Sequence, residues 1–179
     1  MYIDDDKSDA IIDACQAGKE SGYKAMYLQY YAFGKSICTR HSKKVEDVEE
    51  ILSDVFMKVF KNINRFEKHK PFKAWFRTIA VNTCIDFYRA NNQLQFSTTE
   101  LDFQIVCEKE NVLDNYGYQE LLILIQKLPT TFRMVFLLFV VEGYSHKEIA
   151  EKLNINEITS RTSLNKARAE LQKMILAKS

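Results

Sequence analysis

The fold is decided by Ser145-His146-Lys147-Glu148-Ile149-Ala150-Glu151-Lys152-Leu153-Asn154-Ile155-Asn156. A serine followed three residues later by a glutamate reads as a capping box, in which hydroxyl and carboxylate each satisfy a backbone N–H that the first helical turn leaves unpaired. Ile149, Ala150 and Leu153 then complete a short helix at three-and-four spacing. Asn154-Ile155-Asn156 makes a tight turn, and Asn156 caps a further helix whose inward face is Ser160, Leu164, Ala167 and Leu171. A small Ala150 lets the two helices approach, while Ile149, Leu153 and Ile155 fill the space between them. The spacing predicts a helix-turn-helix, with a generic αα corner as the alternative. Ser160 places a hydroxyl where an aliphatic side chain packs better, and a hydrogen bond back to a preceding carbonyl is its expected partner.

On the helix after the turn, Arg161, Thr162 and Asn165 share the outward face, with Lys166 and Arg168 toward the backbone of a duplex. Arginine reads guanine and asparagine reads adenine in a major groove. Ahead of the motif, the run Leu121, Leu122, Ile125, Leu128 ends at Pro129. A second run, Phe132, Val135, Phe136, Leu138, Phe139 and Val140, continues as one helix to a stop at Gly143.

The first half of the chain is also helical. Ala10 to Cys15 form a short helix that stops at Gly18, and a second helix runs from Tyr23 to about Thr39. From Val45 a third helix turns Val48, Ile51, Leu52, Val55, Phe56, Val59 and Phe60 inward and Glu46, Asp47, Glu49, Glu50 and Asp54 outward. Carboxylates in a first turn favour the helix dipole, so N-terminal stabilisation is the plain explanation, but five exceed what it requires. A polar connector, Asn62 to Lys70, leads through Pro71 into a fourth helix bearing Trp75, Phe76, Ile79, Ala80, Thr83, Cys84, Phe87 and Tyr88, with Lys73, Arg77 and Arg89 among them. Unpaired bases need a flat partner and phosphates need cations, so this mixture suits single-stranded nucleic acid. An aromatic stripe on a helix is more often core than platform, and Trp75 can serve either way. Residues 91–116 lose the periodicity and turn acidic. They read as a linker, whose Leu101, Phe103, Ile105 and Val106 dock on some surface.

The composition agrees. In 179 residues, 46% hydrophobic and 27% charged side chains exclude a disordered or fibrous chain and allow one or two modest cores. With five glycines, two prolines and no clean alternation, the expectation is all-α rather than all-β or doubly wound. The longest apolar runs, Leu121 to Ile125 and Val135 to Val141, fall short of the roughly 20 residues of a membrane span, and the acidic start Met1 to Asp6 is the reverse of a secretory leader. A cytoplasmic location is expected. Cys15, Cys38, Cys84 and Cys107 lie far apart, and none of the three histidines has metal-ligand spacing to them, so reduced buried thiols and no metal or cofactor are expected. The net charge of +1 hides an alternation: −4 over residues 1–22, +6 over 23–92, −4 over 93–127 and +3 over 128–179. Basic blocks attract phosphates and an acidic connector avoids them, although ordinary surface charge also produces such blocks.

From about Asp9 to Leu176 the chain resembles the extracytoplasmic-function (ECF) sigma factors, the smallest group of the sigma-70 family. The second-region signature stands as Glu49-Glu50-Ile51-Leu52-Ser53-Asp54-Val55-Phe56, Arg65-Phe66, Phe72-Lys73-Ala74-Trp75-Phe76 and Ile79-Ala80-Val81-Asn82. The fourth-region signature stands as Leu128-Pro129, Phe132-Arg133, Val135-Phe136, Glu142-Gly143, Ser145, Glu148-Ile149-Ala150 and Lys166-Ala167-Arg168. The resemblance implies two small helical domains, region 2 at 7–92 and region 4 at 118–176, joined by a linker at 93–117 that threads toward the RNA exit path. It implies a promoter-specificity subunit without catalytic residues, whose partners are core RNA polymerase, through the beta-prime clamp helices and the beta flap, and promoter DNA. An anti-sigma protein is a further partner common in the family. Asp47, Glu50, Ser53 and Asp54 fall at the clamp-binding positions, with Glu50 and Ser53 where the family usually has Asp and Gln. Phe66, Lys70, Phe72, Lys73, Trp75, Arg77, Asn82 and Arg89 fall where the family captures an unpaired minus-ten base. Arg161, Thr162, Asn165, Lys166 and Arg168 fall where it reads the minus-thirty-five element. Ser160 and Ser163 replace the common aliphatic and arginine, which implies a different upstream sequence. Two rival classes remain from the residues alone. One is a stand-alone helix-turn-helix regulator, which would normally bind paired half-sites as a dimer. The other is a carboxylate-metal nuclease built on Glu46, Asp47, Glu50 and Asp54, which lack a convergent basic partner.

Overall fold

The computed structural model describes residues 5–94 and 116–177, and all of its regular structure is helical. In chain order the helices are α1 (Asp5–Gln16), α2 (Glu20–His41), α3 (Val45–Asn62), α4 (Phe72–Leu94), α5 (Tyr116–Lys127), α6 (Thr130–Phe136), α7 (His146–Leu153) and α8 (Glu157–Leu176). A 3-10 turn, Ile63–Arg65, follows α3, and α6 widens at its end into a π turn, Leu137–Val141. Most of the linker read at 93–117, with its apolar residues and Cys107, lies outside the described residues, as does the tip Met1 to Asp4. At its edges, α4 extends through Leu94 and α5 already begins at Tyr116. Ala90, Asn91, Asn92 and Gln93 include neither glycine nor proline, so nothing in the backbone stops α4 where the apolar periodicity ends.

The chain packs as two compact units, one formed by residues up to Thr39 with Glu46–Cys84, the other by Arg40–Val45 with the residues from Ile85 onward. The first is cored by Ile12 and Cys15 of α1, Met26, Tyr30 and Ile37 of α2, Ile51, Leu52, Val55 and Val59 of α3, and Phe76 and Ala80 of α4. Two glycines allow this closeness. A Cβ on Gly22 would stand 2.7 Å from the backbone of Ala14 and Cys15, and one on Gly34 would stand 2.8 Å from Leu52 Cδ1. Cys15, Cys38 and Cys84 are buried and take part in no disulfide, and burial raises the Cys15 pKa.

The second unit is built on Leu124, Ile125, Leu128, Leu137, Ala167 and Leu171, with Phe132, Phe136 and Met174 against them. The run read as one helix from Phe132 to Val140 is α6 plus the π turn, in which Glu142 N–H donates to Leu137 O at 3.0 Å. Met134, Val135, Leu137 and Leu138 are buried where the element passes from α into π geometry. Gly143 ends the element with φ +76°, a conformation that costs glycine little.

Candidate nucleic-acid interface

The capping box forms as read. Ser145 N–H donates to Glu148 Oε2 at 2.8 Å and Glu148 N–H donates to Ser145 Oγ at 3.3 Å. Ser145 Oγ also donates to Glu148 Oε2 at 2.7 Å, and the bonds to that carboxylate from the Ser145 side chain and backbone hold it below the usual carboxylate range. α7 closes on Asn154, whose left-handed conformation (φ 54°, ψ 49°) lets Ile155 N–H return to Ala150 O at 3.0 Å. Asn156 then accepts from Thr159 N–H at 2.7 Å and starts α8. The turn therefore needs only three residues, and Ile149 and Leu153 are buried beneath it.

The rotation of α8 is fixed by its inward face. Ser160, Ser163, Leu164, Ala167 and Leu171 are buried, and Ser160 Oγ lies 2.9 Å from His146 Nδ1 of α7, which takes the place of the expected bond back to a preceding carbonyl. The His146 ring stacks on Phe139 with centroids 4.6 Å apart, and burial, with Arg161 and Arg168 nearby, lowers its pKa. With that face turned in, Arg161, Thr162, Asn165, Lys166 and Arg168 are all exposed, as the sequence pattern requires. Arg161 Nη2 is held at 2.5 Å by Glu157 Oε1 one turn earlier, and Thr162 Oγ1 donates to Thr159 O at 3.1 Å. Lys166 Nζ sits over the Phe132 ring and Arg168 over Phe139, at 5.8 and 5.9 Å from the centroids.

In the first unit the outward residues of α3 form one stripe, Glu46, Glu50, Ser53, Asp54 and Met57, with Asp47 half-buried at its edge. Glu49 is turned away from it, toward α2, where Lys35 Nζ and Tyr31 Oη lie 3.5 and 3.4 Å from its carboxylate. Ser53 Oγ donates to Glu49 O at 2.8 Å, so its lone pairs face outward. Glu46 and Asp54 are about 12 Å apart along the helix axis, too far to share one ion. Among the described residues no group of three or more His, Cys, Asp or Glu side chains is placed to hold a metal.

The loop from Asn62 to Pro71 is anchored by Gln16, whose Nε2 donates to Ile63 O at 3.0 Å and to Phe66 O at 3.2 Å. The sequence pattern did not single out Gln16, because its partners lie some fifty residues away. Lys68 pairs with Asp13, and Glu67 binds Lys70 at 2.9 Å, which lowers the Glu67 pKa. Phe66 and Phe72, two aromatic candidates for base contact, are only 5% and 6% exposed. They pack edge to face under Trp75, at 5.2 and 5.4 Å between centroids, and Trp75 itself is half-buried. Around this cluster Lys70 and Lys73 are exposed, Arg77 and Asn82 half-buried, and Lys73 Nζ lies over the Phe33 ring. Arg89 belongs to the second unit, where it donates to Glu151 O at 2.8 Å.

An aromatic cluster capped by a partly exposed indole, an acidic helical stripe and a capped helix-turn-helix thus stand on one chain. Residues 26–93 match the family described as Sigma-70 region 2, and residues 118–171 match Sigma-70, region 4. The RNA polymerase sigma factor YlaC of Bacillus subtilis is 29% identical over 157 residues, covering 83% of this chain and 88% of that one. The ECF RNA polymerase sigma factor SigW of the same organism is 29% identical, covering 78% and 81%. Among solved structures, the sigma factor RpoE of Bartonella quintana, in complex with the anti-sigma factor NepR, superimposes with a TM-score of 0.54 at 21% identity, covering 88% of this chain and 98% of that one. The chain belongs to the sigma-70 family, whose regions 2 and 4 together match about two thirds of it.

Proposed function

We infer that this protein is a promoter-specificity subunit: it binds core RNA polymerase, recognises promoter DNA and initiates transcription. The observation that carries the reading is the ordered presence of both family regions in one chain, each with its exposed surface formed. The α3 stripe Asp47, Glu50, Ser53 and Asp54 docks on the beta-prime clamp helices, and region 4 meets the beta flap. Trp75, seated on Phe66 and Phe72, offers the flat surface for an unpaired minus-ten base. Phe66 and Phe72 hold that indole in place, Lys70, Lys73 and Arg77 attract the strand, and Asn82 reads a base edge, whereas Arg89, engaged on Glu151 O in the second unit, takes no part. Arg161, Thr162 and Asn165 read the upstream element in the major groove, with Lys166 and Arg168 on phosphates.

The chain performs no covalent step. Duplex opening is driven by exchange of base stacking for protein contacts, worth about 1–3 kcal/mol per stacked base. No described helix is long and apolar enough to cross a membrane, and the work on DNA places the protein in the cytoplasm. The solved relative bound to NepR supports an anti-sigma partner for this chain too. We place region 2 at 7–92, a linker at 93–117 and region 4 at 118–176, a reading supported by the matched segments 26–93 and 118–171, which lie within or beside those bounds. Run-off transcription with core polymerase on a library of promoter fragments tests the assignment. New, sequence-restricted transcripts that depend on this protein are expected. A folded chain that neither binds core polymerase nor changes its transcripts would overturn it.

A further inference from the structure

Ile158 is the most exposed large hydrophobic residue among those described, at 74%, and it stands on α8 two residues after the cap Asn156. A β-branched side chain at this position gains nothing locally, because the first turn of a helix favours small polar or acidic residues. Nothing in its own unit covers it. With Ser160, Ser163 and Leu164 turned inward, Ile158 falls at the head of the stripe that continues through Arg161, Thr162 and Asn165, at i, i+3, i+4 and i+7. It is flanked by Glu157, which holds the Arg161 guanidinium at 2.5 Å.

In a helix-turn-helix the N-terminal residues of the second helix reach deepest toward the base edges. The major groove presents donors and acceptors at every base pair but only one apolar group, the C5-methyl of thymine. We propose that Ile158 is a specificity-determining residue that reads a thymine methyl in the upstream promoter element. Its target lies next to the base pair read by Arg161. The inference rests on α8 being the element that enters the groove. It adds a residue and a chemistry to that reading, since every other outward side chain of the stripe is polar.

The test uses the holoenzyme of this chain and core polymerase. Upstream elements are selected from a randomised library by run-off transcription, and each selected thymine is then replaced singly by deoxyuridine, which removes only the methyl. At one position the wild-type holoenzyme should lose about fourfold in transcript yield, the factor for withdrawing one methyl-sized group from apolar contact. Ile158→Ala should be insensitive to that replacement while retaining the preference at the Arg161 position, and Ile158→Val should remain partly sensitive. Unchanged thermal unfolding and core affinity of Ile158→Ala are expected from its exposure. The proposal is overturned if no deoxyuridine replacement matters, if the sensitivity persists in Ile158→Ala, or if that variant weakens core binding equally on every promoter. The underlying reading fails separately, and visibly, if Arg161→Ala and Asn165→Ala leave all upstream preferences unchanged.

Discussion

Arg161 illustrates how a single side chain is readied for its task. Its pair with Glu157 is exposed and contributes only about 0.3–0.5 kcal/mol to the helix, so its value is in aiming the planar fork rather than in stability. Arg161→Ala should therefore leave unfolding almost unchanged while costing about 1–3 kcal/mol at one upstream base pair and relaxing selectivity there. Equal transcription from all variants of that base pair by wild type and mutant would sink the assignment. Asn154 acts on the backbone instead. Its left-handed conformation is costly for a side chain without a local hydrogen-bonding group, so Asn154→Ala should lower stability by about 1 kcal/mol and Asn154→Gly should not, as calorimetry on the two variants would show. In the proposed function Trp75 would combine both kinds of role, because one side of it rests on Phe66 and Phe72 and a smaller part is open. Trp75→Ala should lose permanganate-detected melting of the minus-ten element and lower the unfolding temperature only modestly. A collapse of folding with no separate melting defect in Trp75→Phe would reduce it to a core residue.

At the scale of elements, α7 begins on a carboxylate whose pKa is depressed by its bonds to Ser145. A lowered folded-state pKa means that the cap contributes fully above the ordinary carboxylate range and is lost as pH falls through the folded value. Below about pH 5 the wild type should lose stability faster than Glu148→Gln, whose amide keeps a weaker cap at every pH. Parallel pH profiles of the two unfolding temperatures would contradict this. The contact of α1 with α2 rests on Gly22, where an added Cβ would meet backbone that cannot rotate away. Gly22→Ala should cost about 1–3 kcal/mol in chemical denaturation. Such elements differ in how plainly the sequence announces them. The Ser145–Glu148 box, the Asn156 cap and the buried face Ser160, Leu164, Ala167 and Leu171 were legible because each signal is complete within one or two turns. The π turn at Leu137–Val141, Gln16 on the loop carbonyls, His146 on Ser160 and the burial of Phe66 and Phe72 were not. They depend on packing between segments that the local periodicity does not connect. Ile158 was passed over although that legible face already turns it outward, because a single exposed apolar residue is common on any surface and carries no signal of its own.

For the whole molecule the decisive quantity is how little of the DNA affinity the free chain can supply. Its net charge is +1, with basic blocks separated by acidic ones, so the sequence-independent attraction to phosphates is weak overall although it is strong locally. The described surface for the upstream element comprises one helix, whereas a stand-alone regulator of the same motif engages two half-sites through a dimer. The free chain should accordingly bind upstream duplex DNA no better than the non-specific level, about 10−4 to 10−6 M at physiological salt. In the proposed function, core polymerase docked on the α3 stripe would supply the remaining contacts and convert weak local recognition into promoter selection. Fluorescence anisotropy on the selected promoter, with and without core polymerase and across a salt series, measures this directly. Tight, sequence-specific binding by the free chain, in the range of about 10−8 to 10−11 M, would favour the stand-alone regulator. Weak binding that becomes specific only with core polymerase, and that Glu50→Lys with Asp54→Lys abolishes without changing the fold, is the outcome expected of a subunit whose two recognition surfaces work only when the polymerase joins them.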